Sequence, residues 1–176
     1  MRAVSWIVVL ASVLFLVGGN WALRGDRLDG AAAPEQAIGG TMISAASPSW
    51  RHIKHLSKDY TEAWNRHDPD ALAALLAEDA LRVINQENRL EGAAAQREMF
   101  AGLMASVPDL TVEMTRLERQ GDRVVYHWTL SGTHADSGNA VSIDGTESWL
   151  LTEDGLIGDV QETFDTEAWM RQTGAR

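Results

Sequence analysis

An α+β fold, with helices in its first half and a strongly curved, mostly antiparallel sheet in its second, is what the sequence predicts for residues 50–176. Three observations carry that reading. Ile53, Leu56, Tyr60 and Trp64 recur at helical spacing, the apolar period switches to two after Pro108, and turn signals punctuate the last third at Gly121-Asp122, Gly132-Thr133 and Asp154-Gly155. A sheet of this kind behind a helical layer usually encloses one apolar pocket, and function is expected there.

The chain opens on Ala3 to Leu23, a run of 21 residues without a charged side chain, densest over Val4 to Val17. Its length fits a secretory signal peptide or a single membrane anchor over residues 1–24, an N-terminal apolar helix ahead of the domain. Either puts the domain outside the cytoplasm, anchored or released. No clean small-x-small cleavage site follows the run, which tilts the reading toward an anchor, while Arg24 and Arg27 on its far side weaken a simple positive-inside orientation with the C-terminus outside. Residues 25–49, rich in Gly, Ala, Ser and Pro, read as a flexible tether.

The first helix is predicted from about Arg51 to Arg66, ending at His67-Asp68-Pro69. Asp68 can cap a second short helix with Pro69 at its first position, carrying Leu72, Leu75 and Leu76 inward and closing at Glu78-Asp79. A short strand over Leu81 to Ile84, a turn over Asn85 to Asn88 and a third helix over Ala93 to Val107 follow, the helix burying Met99, Phe100, Leu103 and Met104. Pro108 stops it. Leu110, Val112 and Met114 then alternate with polar residues, as do Val124, Tyr126, Trp128 and Leu130, which turns His127 away from the core. His134 shares the parity of Trp128 and falls at the rim of the apolar face if no bulge intervenes at Gly132. The last hairpin runs from about Val141 to Thr152 and Leu156 to Asp165, and a two-residue loop at Asp154-Gly155 puts Glu147 opposite Glu162, Ser148 opposite Gln161, and Leu150 opposite Asp159. Periodicity does not choose which of the two faces lines the pocket. Thr166 to Gln172 forms a closing helix.

A net charge of -10 and a pI near 4.8 argue against a nucleic-acid partner, because phosphate binding needs clustered Lys and Arg. Zero cysteines remove disulfides, thiolate metal sites and a thiol nucleophile. His52 and His55 are the only close histidine pair and lack a third ligand, so they read as solvated.

Tyr60-Thr-Glu-Ala-Trp64-Asn-Arg-His-Asp68-Pro-Asp-Ala-Leu72, Pro108-Asp-Leu110, Gly121-Asp-Arg-Val124, Ser131-Gly-Thr-His134 and Glu153-Asp-Gly-Leu-Ile157, in this order and spacing, resemble the SnoaL-like polyketide cyclases of the nuclear transport factor 2-like superfamily. The resemblance spans about residues 53–170. It implies a cone-shaped domain, three N-terminal helices on a curved sheet, that pairs into a homodimer through its outer sheet face. It further implies a pocket for a small apolar carbonyl compound, with no metal or organic cofactor. There a carboxylate takes a proton from the carbon beside a carbonyl, and an intramolecular aldol step closes a ring. Such chemistry needs an acid whose pKa is lifted by apolar surroundings and a donor for the enolate oxygen.

Asp159 stands where the family commonly has an acid and is the leading general base, with His134 as acid or oxyanion donor and Gln161 as a carbonyl donor on the same strand face. Where relatives often carry His and Trp after that acid, this chain has Val160 and Gln161. Glu147 is the competing acid if the other face lines the pocket. Tyr60, Trp64, Phe100, Met104 and Trp128 are core residues that also serve as pocket wall. The same residues support a non-catalytic module, binding a ligand or a second copy.

Overall fold

The computed structural model describes residues 48–174; the expected signal or anchor at 1–24, and the tether up to residue 47, lie outside them. Among the described residues no helix is long and apolar enough to cross a membrane. Helix α1 (Trp50–Asn65) starts on Ser49, whose hydroxyl accepts from the amide of His52, and buries Ile53, Leu56, Tyr60 and Trp64 as their spacing predicts. Its end is set by His67, at φ +54°. Asp68 then accepts from the amide of Ala71 at 2.9 Å and Pro69 opens α2 (Pro69–Ala73), the N-terminus read from the sequence.

Here the structure departs from expectation. α2 makes little more than one turn, and Leu76, assigned to it by period, is the first residue of strand β1 (Leu76–Ile84). Its partner is Ile157, 81 positions along the chain, in a parallel pairing no local pattern encodes. β2 (Asn88–Glu91) is a polar edge strand too short to register as a period. Helix α3 (Ala93–Ser106) buries Phe100 and Met104 but leaves Met99 and Leu103 half-buried, and it buries Gln96, a polar residue no apolar pattern marks.

Strands β3 (Thr111–Gln120), β4 (Arg123–Thr133), β5 (Ala140–Leu151) and β6 (Ile157–Phe164) complete one six-stranded sheet in the order β2-β1-β6-β5-β4-β3, antiparallel except at β1–β6. Helix α4 (Thr166–Thr173) closes the chain on Asp165 as N-cap. A register shift between Met114 and Arg116 breaks the alternation of β3 and exposes Met114, which the period places inside. Asn65, at the end of α1, offers Val112 both an acceptor (2.7 Å) and a donor (2.9 Å), acting as a strand partner for edge strand β3 and tying helix to sheet.

In the β5–β6 hairpin the expected register is observed, with Glu147 opposite Glu162 and Leu150 opposite Asp159, but the two-residue loop is not. Leu151 pairs with Ile157, so the connection is longer, held by Thr152 N–H to Leu156 O (2.8 Å) and Gly155 N–H to Thr152 O (2.9 Å). Gly158 is the extra residue of a bulge between these pairs, and it restores the register the longer loop displaces.

The inner face carries Val124, Tyr126, Trp128, Leu130, Trp149 and Val160, all buried against α1 and α3. Aromatic rings dominate it: Tyr126 stacks on Trp149 at 4.9 Å, and Tyr60 meets Trp149 edge-on at 5.1 Å. Gly145, opposite Trp128, has no room for a side chain, since a Cβ there would collide with the indole Cζ2. Gly145→Ala is accordingly expected to cost roughly 1–3 kcal/mol through overpacking, measured by urea unfolding.

Candidate active site: a buried arginine between two glutamates

The hairpin register that sets Glu147 opposite Glu162 puts two like charges side by side on the inner face, an arrangement that is unfavourable unless a cation joins it. The cation is Arg82. Strand alternation turns Ala80, Arg82 and Ile84 inward, and the guanidinium, with its side chain 1% exposed, reaches Glu162 Oε2 at 2.5 Å and Glu147 Oε1 at 3.2 Å. Its Nη2 donates to the Tyr60 hydroxyl at 3.0 Å, and its Nε to Gln96 Oε1 at 3.1 Å. Gln96 in turn donates to the carbonyl of Ala80 at 2.8 Å, and the Phe100 ring lies 5.4 Å from the guanidinium carbon. Glu147 is fixed further by Tyr60 OH, 3.1 Å from each carboxylate oxygen, and by Trp149 Nε1 at 2.7 Å. Nearly every polar atom of this assembly has a partner, the condition for burying it.

The electrostatics follow from that packing. Burial pulls Arg82 toward deprotonation, but Glu147, Tyr60 and Glu162 outweigh it and hold the guanidinium charged. Burial raises Tyr60 well above the usual phenol range, Arg82 opposing and Glu147 adding to the shift. Tyr126, which shares a 2.8 Å hydrogen bond with Thr61, is raised for the same first reason. Glu162 is pushed up to about 6, by burial first, with Arg82 opposing and Glu147 reinforcing. One cation facing two carboxylates leaves Glu162 as the group that exchanges a proton near neutral pH.

Glu147 and Glu162 form the polar side of a cavity whose apolar wall is Trp64, Leu103, Val112, Tyr126, Trp128 and Leu130. Its volume is about 30 Å³, room for about two water molecules at roughly 10–15 Å³ each. Of the expected wall residues, Trp64 and Trp128 line it, while Tyr60, Phe100 and Met104 are buried in the core around it.

The structure separates the expected catalytic residues. Glu147, the competing acid, is at the cavity. Asp159 and Gln161 have the opposite parity and lie on the outer sheet face, where Asp159 is ion-paired with Arg123 and accepts from Gln161 at 3.2 Å. The correction is one of face: alternation along β6 beyond the Gly158 bulge turns Val160 and Glu162 inward and their neighbours out. His134 is buried at its expected parity in the β4–β5 connection, but its Nδ1 is engaged with Ser137 Oγ at 2.9 Å and it is not part of the cavity wall. Sequence reasoning missed Arg82, Gln96 and Glu162 as site residues. The signal for Arg82 was indirect: two glutamates held opposite on an inner face demand a cation, and Arg82 is the one basic residue in the parallel strand that pairs with β6.

The SnoaL-like domain family model matches residues 58–160. No curated protein sequence matches the chain. Among solved structures, TsrD from Streptomyces laurentii aligns with a TM-score of 0.65 at 23% identity, covering 73% of this chain and 99% of TsrD. A protein of Jannaschia sp. CCS1, provisionally named a SnoaL-like polyketide cyclase, gives 0.65 at 18% identity, with 74% and 97% covered. SalBIII, an epoxide hydrolase/cyclase-like enzyme with a role in pyran ring formation in the polyether salinomycin, gives 0.60 at 23% identity, with 67% and 94% covered. At these identities the likeness shows the fold alone, helices packed on a curved α+β sheet.

Proposed function

Because the chain belongs to the SnoaL-like domain family, we propose that its domain binds a small apolar carbonyl compound at the cavity and that Glu162 takes a proton from the carbon beside that carbonyl. The observation that carries this is Glu162 itself, a carboxylate at an apolar cavity whose proton affinity is lifted to about 6. The C–H electron pair passes into the carbonyl to give an enolate. Its carbon then attacks a second carbonyl of the same molecule, forming the C–C bond, and the new alkoxide recovers the proton from Glu162. The step is redox-neutral and its atoms balance without a cofactor. Arg82, Tyr60 and Glu147 position Glu162 and keep its charge change local.

The test is hydrogen exchange at carbon. The full chain with 2-acetylnaphthalene in deuterated buffer is expected to speed loss of the methyl proton signal over buffer alone, and Asp159→Asn, on the outer face, is expected to leave the rate unchanged. Binding without any acceleration overturns the catalytic step.

The cavity volume favours a second reading, because a compound of ring size enters only if Leu103 or its neighbours move. In it the domain is a non-catalytic module that holds a smaller apolar ligand or pairs with a second copy through the outer sheet face, where Leu150 is 38% exposed. Export or anchoring outside the cytoplasm belongs to both readings and rests on the apolar run from Ala3 to Leu23. Fractionation with N-terminal sequencing tests it: Met1 retained in membranes means an anchor, a new start between Ala22 and Pro34 means release, and a soluble cytoplasmic product rejects both.

A further inference from the structure

We infer that the indole N–H of Trp128 is the donor that receives the ligand's carbonyl oxygen, which makes this residue the one that sets the ligand class; the inference rests on the cavity being a carbonyl-binding site. Among the described residues, Trp128 Nε1 is the single buried side-chain nitrogen or oxygen without a hydrogen-bond partner. Buried polar groups are nearly always paired, and an indole nitrogen can only donate. The partner that completes Trp128 is therefore an acceptor.

The neighbouring donors are already engaged. Trp149 Nε1 and Tyr60 OH donate to Glu147, and Tyr126 OH is bonded to Thr61. Trp128 is also held still: its ring lies against the backbone of Gly145, where a Cβ comes within 2.6 Å of Cε2, the carbon bonded to Nε1, and Phe164 packs at 6.4 Å. Trp128, 8% exposed as a residue and with its Nε1 fully buried, lines the same cavity as Glu147 and Glu162, and a fixed donor there is a specificity element. The same surroundings decide between acceptors. Glu147 and Glu162 share one cation, Arg82, so a carboxylate ligand meets repulsion and a neutral ketone does not. A carbonyl oxygen on Trp128 also gains charge as the adjacent carbon loses its proton to Glu162, so the N–H strengthens its hold as the enolate forms.

The experiment uses the full chain labelled with 15N at tryptophan and two probes of matched shape, 2-acetylnaphthalene and 2-ethylnaphthalene. The ketone is expected to bind roughly three- to tenfold more tightly, the worth of one neutral hydrogen bond. It alone is expected to move the Trp128 indole N–H signal. Trp128→Phe keeps the aromatic packing and is expected to bring the ketone down to the hydrocarbon's affinity. Should that variant fail to fold, the wild-type indole signal decides. Equal affinities, a ratio unchanged in Trp128→Phe, or an unmoved indole signal at ketone saturation overturn the role of Trp128 and leave the cavity reading standing. Failure of both probes to bind overturns the cavity reading and the inference with it.

Discussion

Replacing Arg82 by Met is expected to destabilise the domain by roughly 3–5 kcal/mol at pH 7, the largest effect of any single substitution considered for this protein. The methionine occupies a similar volume, so the loss is electrostatic. With the guanidinium gone, Glu147 and Glu162 face each other on adjacent strands with side chains 4% and 12% exposed, and Gln96 and Tyr60 each lose a partner. The sign with pH identifies the cause. Glu162 gains a reason to stay protonated once Arg82 no longer opposes its burial, so the folded state binds more protons than the unfolded one through the mildly acidic range, and the variant recovers stability as pH falls toward 4.5. A lost packing contact does not recover this way. Urea unfolding at pH 7 and pH 5 measures the difference, and an equal loss at both values rejects the charge account.

That Arg82 escaped the sequence reading has a physical reason. Leu81 and Val83 flank it and look like the apolar face of a short strand, which turns Arg82 outward on paper. The parallel pairing with β6 reverses this, and its register, Arg82 opposite Val160, joins residues 78 positions apart. Elements fixed by local chemistry were legible: the amphipathic spacing of α1, the Asp68-Pro69 start of α2, the alternation of β4, and the Glu147–Glu162 pairing of the last hairpin. The face of that hairpin was not, because both faces mix apolar and polar residues and only the helices that cover one of them break the tie. Asp159 and Glu162 thus traded places between solvent and cavity without any change in the hairpin register. Met114 and the short α2 are the same kind of case, where a bulge or a long-range pairing overrides a local period.

Glu162→Gln carries the other large expectation, a fall of roughly 10²- to 10⁴-fold in catalysed exchange at the ketone methyl, with affinity for 2-acetylnaphthalene kept within about threefold. Glutamine preserves the volume and an acceptor for Arg82 while removing the proton-accepting oxygen. In the unmodified protein the exchange rate should rise with pH through about 6 and then level, since the base works only when deprotonated. Stability runs the other way. Glu162 has its ordinary value of 4.5 when unfolded and about 6 when folded, so below 4.5 it is protonated in both states and costs nothing, and between the two values the folded state holds the proton more tightly. Its contribution falls by about 2 kcal/mol as pH rises across that window, at 1.36 kcal/mol per unit. Glu162→Gln should abolish both pH dependences together, because one carboxyl produces them. A rate inflection that survives Glu162→Gln would assign the proton transfer to Glu147 instead. The coupling explains why a protein would keep an acid where it weakens the fold: the burial that lifts its proton affinity is the same burial that makes it a base near neutral pH.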